Sequence, residues 1–190
     1  MAAKKVEEKV NLGKETVEET KKAKKRTRAE MIRELKREAS KIDIEVMNLT
    51  NGSFIYENGY DSIRMNEPGE TAIVGLDLLL KMKNSPTIRR LFLSIVDIYS
   101  DEYELKDVLD ILDLTKIYND KILTLDYLDE VLENSTVDEF VGILENESPE
   151  LAKRLCQRAV YLAHLNEFDS MGKRSAIESK FNNAYIFKSN

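Results

Sequence analysis

The chain has 190 residues, 42% of them apolar, and carries 35 Asp or Glu against 29 Lys or Arg for a net charge of −6. That length supports one ordinary domain with an appendage or two very small ones, and the apolar share is enough for a real core, which argues against wholesale disorder. No run approaches the ~18 apolar residues of a membrane span, the single Cys156 excludes an internal disulfide or a cysteine-cluster metal site, and the single His164 excludes every His-pair metal motif.

The charge is unevenly placed. Residues 1–41 hold 14 basic and 8 acidic side chains, a balance of +6, whereas 42–190 hold 15 and 27, a balance of −12. The opening MAAKKVEEKV is charged where a secretory signal needs an apolar core, so export is not expected. Lys21, Lys22, Lys24, Lys25, Arg26 and Arg28 put six basic groups into eight residues. Such a run either meets phosphates, with strongly salt-dependent affinity, or docks on an acidic surface of its own body, a neighbouring copy or another protein. No aromatic residue interleaves it to stack on bases, and Glu15, Glu18, Glu19 and Glu30 dilute its field, which favours protein over nucleic acid. Residues 1–26 have too few large apolar side chains to fold alone and are expected to be disordered in isolation or helical only on contact.

From Thr27 the pattern is helical. Thr27 and Glu30 fit a capping box, and Ile32, Leu35 and Ala39 recur at helical spacing, predicting a helix over about 28–40. Ile42, Ile44 and Val46 then alternate with acids, the signature of a half-buried strand. Asn51-Gly52 and Asn58-Gly59 punctuate the β-prone runs that follow, and Thr71–Val74 offers a further short strand. Asn-Gly supplies the positive φ of tight hairpins, so residues 42–75 are expected to form a small antiparallel β-meander. Phe54, Tyr56 and Tyr60 would then be an interaction face of that meander, or else cross-strand pairs covering one side of a small sheet.

After Gly75 the chain is expected to be mainly α-helical through residue 190. Leu76–Met82 is a short apolar helix stopped before Pro86. Ile88–Tyr99 fits either a buried helix or a strand, with its alternation leaning to strand. Three segments at 107–112, 126–132 and 138–144 begin with an acid, suit a helix N-terminus and are each too short to be stable without packing. Ser148-Pro149-Glu150 starts the clearest helix, 149–166, with Leu151, Leu155, Ala159, Leu162 and Ala163 on its face, and a last helix is expected over about 172–183. The fold class is therefore α+β, in three parts: a charged arm at 1–41, the meander at 42–75 and a cluster of short helices at 76–190.

Little of this looks like reaction chemistry. Asp126, Asp129 and Glu130 would share a helix face, but without the spacing of a calcium loop they read as solvated acids. Cys156 and His164 lie about 12 Å apart along one helix, too far to form a thiolate–imidazole pair. Glycine-rich phosphate loops are missing. No cofactor, metal or small-molecule substrate is implied, and the expectation is a protein that is not an enzyme.

VMNLTNGSFIY (46–56), the turn-rich region after it, the short acidic helices and LAKRLCQRAVYLAHLNEFDSMGKRSAIESKF (151–181) resemble a loose group of virion-associated proteins of tailed bacteriophages. In that group a small β-region, short acidic helices and a helix ending near a turn such as Phe168-Asp169-Ser170 occur in this order. The resemblance spans about 42–182 and brings no catalytic residues. It implies a structural or assembly component of the head, neck or tail, found in the virion and, before assembly, in the host cytoplasm. Its partners would be other virion proteins and copies of itself, with no membrane. The alternative is an intracellular adaptor whose basic arm binds nucleic acid while its acidic helices bind a protein.

Overall fold

The computed structural model describes residues 27–187. Lys21, Lys22, Lys24, Lys25 and Arg26, and the expectation for 1–26 as a whole, lie outside the described residues. Helix α1 (Arg28–Glu38) opens with the capping box read from the sequence: Thr27 Oγ1 accepts from the Glu30 amide, and the Thr27 amide donates to the Glu30 carboxylate at 2.8 Å. Leu35 is buried from this helix, and a 3-10 turn at Ala39–Lys41 leads into β1 (Asp43–Asn48).

The strands are antiparallel as expected, but they are not consecutive neighbours. β1 is the centre of a three-stranded sheet, flanked by β4 (Thr71–Gly75) and β5 (Leu93–Tyr99). β2 (Phe54–Asn58) and β3 (Asp61–Met65) pair only with each other. The single meander over 42–75 is thereby corrected, and Asn48 supplies the reason. This fully buried side chain donates to the carbonyls of Gly52 (2.7 Å) and Glu67 (2.8 Å) and accepts from the Thr50 amide and hydroxyl. Those bonds wrap residues 49–53 around the end of β1 instead of letting Asn51-Gly52 close a hairpin. Asn58-Gly59 does close one. Its loop is Gly59-Tyr60, with Gly59 at φ 65, the positive value that favours glycine at the first loop position.

Residues 88–99 divide at Leu91. Pro86–Arg89 form a single helical turn, α3, and Leu91, fully buried at φ 54, turns the chain into β5. The leaning to strand is borne out for 93–99. Opposite β1, Glu45 faces Asp97 while Val46 faces Ile95, so Val96 is an extra residue that bulges β5.

The rest is helical: α2 (Leu76–Met82), α4 (Leu105–Ile111), α5 (Thr115–Tyr118), α6 (Leu125–Asn134), α7 (Val137–Asn146), α8 (Pro149–His164) and α9 (Met171–Phe181). The three acid-led segments are α4, α6 and α7, the last two capped by the Thr124 and Thr136 hydroxyls. One apolar cluster runs from Leu35 through the inner faces of β1 and β5 to Ile177. Burying each large aliphatic side chain there contributes about 2 kcal/mol before entropy is counted, so short helices that would melt alone are held by packing.

A buried polar joint ties sheet to helices. Ser94 Oγ donates to the Leu123 carbonyl at 2.5 Å, so its contact with Tyr118 Oη at 3.0 Å must be one that it accepts. Tyr118 Oη in turn accepts from the Ile95 amide at 2.6 Å, satisfying a β5 group beside the bulge. Burial pushes the Tyr118 phenol up to about 12.

Candidate functional site

The residues singled out from the sequence fall in three places. Arg28, the described member of the basic run, stands on the first turn of α1 and donates to Asp110 of α4 at 2.5 Å. Met31, Ile32 and Leu35 line the same seam with Asp107 and Asp110. The root of the arm is thus seated on the acidic stretch between Tyr99 and Glu150, which has 16 acids against Lys106, Lys116 and Lys121.

Phe54, Tyr56 and Tyr60 are not brought onto one exposed face. The period of two sends Phe54 and Tyr56 inward, opposite Met65 and Ile63, and Phe54 is buried. Tyr60 alone, at the hairpin tip, is fully exposed. The outward residue of β2 is Ile55, exposed, as is Ile73 on the edge strand β4. These two and Tyr60 are among the large apolar side chains exposed in the described residues.

Asp126, Asp129 and Glu130 do not converge on an ion. Asp129 forms a two-pronged pair with Arg158 of α8, both contacts at 2.6 Å, while Asp126 and Glu130 are exposed. Among the described residues no group of three or more His, Cys, Asp or Glu could hold a metal.

A fourth place, which motif reading missed, is the flank of α8. A groove of about 580 Å3 runs along it, lined by Cys156, Val160, Tyr161 and His164, with Phe92 and Ile186 opposite. Burial pushes the Cys156 thiol up to about 11, which keeps it protonated and a poor nucleophile at neutral pH. A second cleft of about 440 Å3 adjoins the groove and shares Phe92, Arg154 and Gln157 with it. Its remaining walls are Arg89 and Arg90 at the end of α3, and Glu150 and Lys153 on the first turns of α8.

Arg154 stands between these two hollows and is only 5% exposed. Its Nε donates to the Arg90 carbonyl at 2.8 Å, and its guanidinium lies 4.3 Å from the centroid of Phe92. Burial alone lowers it to about 10, so it stays charged at neutral pH. Leu91 and Leu49 set this geometry. The turn at Leu91 places the Arg90 carbonyl and Phe92 side by side, and the Leu49 amide holds the Phe92 carbonyl at 3.0 Å. No run of residues carries this signal: Arg90 lies 64 positions before Arg154, with Phe92 beside it in sequence, and they meet Arg154 only in the fold.

No family model, curated protein or solved structure matches the chain. Among the described residues no helix is long and apolar enough to cross a membrane.

Proposed function

We propose that this protein is a non-enzymatic assembly component of a tailed-phage virion that works through protein–protein contacts, its basic segment Lys21–Arg28 engaging the acidic surface of a neighbouring subunit. The observation that carries this reading is the Arg28–Asp110 pair: the acidic surface accepts the last residue of the basic run at charge-assisted distance. One such pair leaves much of that surface's charge in place. From Ile122 to Ala152 the chain has no basic residue, and Asp126, Glu130, Glu133 and Asp138 are exposed there. An arm with a balance of +6 and a body with −12 attract each other between copies as well as within one. The exposed Ile55 and Tyr60 of the β2–β3 hairpin and Ile73 of the edge strand β4 add apolar contact area. The virion itself as the setting rests on the resemblance over 42–182.

The test has two arms. Mass spectrometry of purified particles should find the chain at a fixed copy number. Light scattering of the full chain should show self-association that is lost at high salt and when the six basic residues of Lys21–Arg28 are changed to Gln. A chain absent from particles and monomeric at every salt concentration overturns the reading. In that case, salt-sensitive DNA binding abolished by the same Gln changes would establish the adaptor alternative.

A further inference from the structure

We propose that the cleft at the start of α8 is a binding site for a dianionic phosphate group, free or on a phosphomonoester, held by Arg154, Arg90 and Lys153. Arg154 is nine-tenths buried, yet no carboxylate among the described residues pairs with it. Only its Nε is used inside the protein. Its two terminal nitrogens form no hydrogen bond with a described residue, and the side chain lines the cleft. Arg158, one turn on and less deeply buried, is neutralised by Asp129, and the buried Lys173 has its ammonium held by the Leu132 and Glu133 carbonyls. A buried charge without a partner is costly, and a bound anion removes that cost.

The walls of the cleft fit such an anion. Arg89 is already committed, donating to the carbonyls of Lys83 and Asp113 at 3.1 Å each and lying 3.8 Å from the Asp113 carboxylate. Arg90 and Lys153 are exposed and form no ion pair with a described residue. With Arg154 they give three positive charges against Glu150, a surplus of two, in a chain whose net charge is −6. That surplus matches a phosphate carrying about −1.5 to −2 at neutral pH better than a single carboxylate. Arginine presents its donors in a planar fork suited to two phosphate oxygens at once, and Phe92 holds that plane in place. The adjoining groove, with Val160, Tyr161 and Ile186, would receive the carbon part of a monoester.

This inference is independent of the assembly reading, and either can fail alone. The experiment is calorimetric titration of the full chain with inorganic phosphate and with phenyl phosphate, at constant ionic strength set with chloride. Saturable binding is expected, weakened about 10-fold by Arg154→Lys, which keeps the charge and loses the fork. Arg90→Gln and Lys153→Gln should each weaken it about 3-fold, and Glu150→Gln should tighten it about 3-fold, the size of one exposed charge's contribution. These three changes leave backbone and core untouched, so they hold the test open if an Arg154 variant misfolds. Phenyl phosphate binding more tightly than phosphate identifies a monoester, and equal binding identifies free phosphate. No saturable binding of either, or binding indifferent to Arg90, Lys153 and Glu150, overturns the proposal.

Discussion

Arg154 and Arg158 lie one turn apart on α8, and the molecule treats their charges in opposite ways. Arg158 reaches Asp129 of α6 through two contacts of 2.6 Å, and that pairing raises its pKa above the ordinary arginine value. Arg154 is the more deeply buried of the two, receives a carbonyl and an aromatic face, and is lowered to about 10. One arginine is a joint of the fold; the other is held ready with its charge unmatched. The largest expected effect tests the joint. Asp129→Ala leaves the Arg158 side chain, 11% exposed, without its counter-charge. Breaking a buried pair from one side costs about 3 kcal/mol, which urea denaturation would read as a fall in midpoint at unchanged slope. A loss below about 1 kcal/mol, the value of a surface pair, would erase the contrast.

The Ser94–Tyr118 joint sharpens the same comparison because every buried polar group in it has a partner. Tyr118→Phe deletes a hydroxyl that accepts from Ile95, leaving that amide unsatisfied at a cost of about 2 kcal/mol. The phenol gives a pH signature as well. Its folded-state pKa, about 12, lies above the ordinary 10, so the unfolded chain loses the proton first. The stability contribution is complete below pH 10 and is lost as pH rises from 10 to about 12. Two units correspond to about 2–3 kcal/mol. Denaturation followed across that window should show the decline in the native protein and a smaller one in Tyr118→Phe.

A smaller effect concerns the acidic helices. α7 begins with Thr136 and Glu139 in a reciprocal capping box, with bonds of 2.8 Å and 3.3 Å to the two backbone amides. Thr136→Ala should cost about 1 kcal/mol. Hydrogen bonding from the Thr136 amide and hydroxyl holds the Glu139 carboxyl below its ordinary 4.5. A lowered carboxyl stabilises the fold above its unfolded value and stops doing so as pH falls through the folded one. The carboxylate's share of the capping contribution should therefore fade below pH 4.5, and the cost of Thr136→Ala should shrink in acid without vanishing, because Thr136 Oγ1 still accepts from the Glu139 amide.

These elements differ in how openly the sequence shows them. Capping residues act within three positions, so Thr27–Glu30 and the helix starting at Pro149 are legible from local pattern, as is the α+β class. Strand order is not local. Ile42–Val46 alternates as any half-buried strand does, and nothing in it reveals that β4 and β5, rather than β2, are its neighbours. The decision is made by Asn48, whose four bonds reach Thr50, Gly52 and Glu67. Asn51-Gly52 has the same dipeptide as Asn58-Gly59, yet only the second closes a tight turn. The Arg154 cleft was hidden for the same reason. An arginine amid LAKRLCQR looks like a solvated helix face until Arg90 and Phe92 are folded against it.

Arg154→Met should have the smallest effect on stability and is the most informative of these changes. The substitution removes one bond to the Arg90 carbonyl and the stacking on Phe92, each worth about 1 kcal/mol. It also removes a buried charge whose desolvation is not offset by any carboxylate among the described residues, and it fills the space with a flexible apolar chain. These opposing terms should nearly cancel, so the urea midpoint of Arg154→Met should lie within about 1 kcal/mol of the native protein in phosphate-free buffer. Phosphate then separates the two chains. A ligand that binds only the folded state stabilises by RT ln(1 + [L]/Kd), about 2.7 kcal/mol at a hundredfold excess over Kd. The native midpoint should climb with phosphate while that of Arg154→Met stays flat. A large loss on Arg154→Met without phosphate, and no rise with phosphate in the native chain, would make Arg154 a second fold joint like Arg158. The opposite pattern marks α8 as a helix with one turn given to structure and the preceding turn given to a ligand.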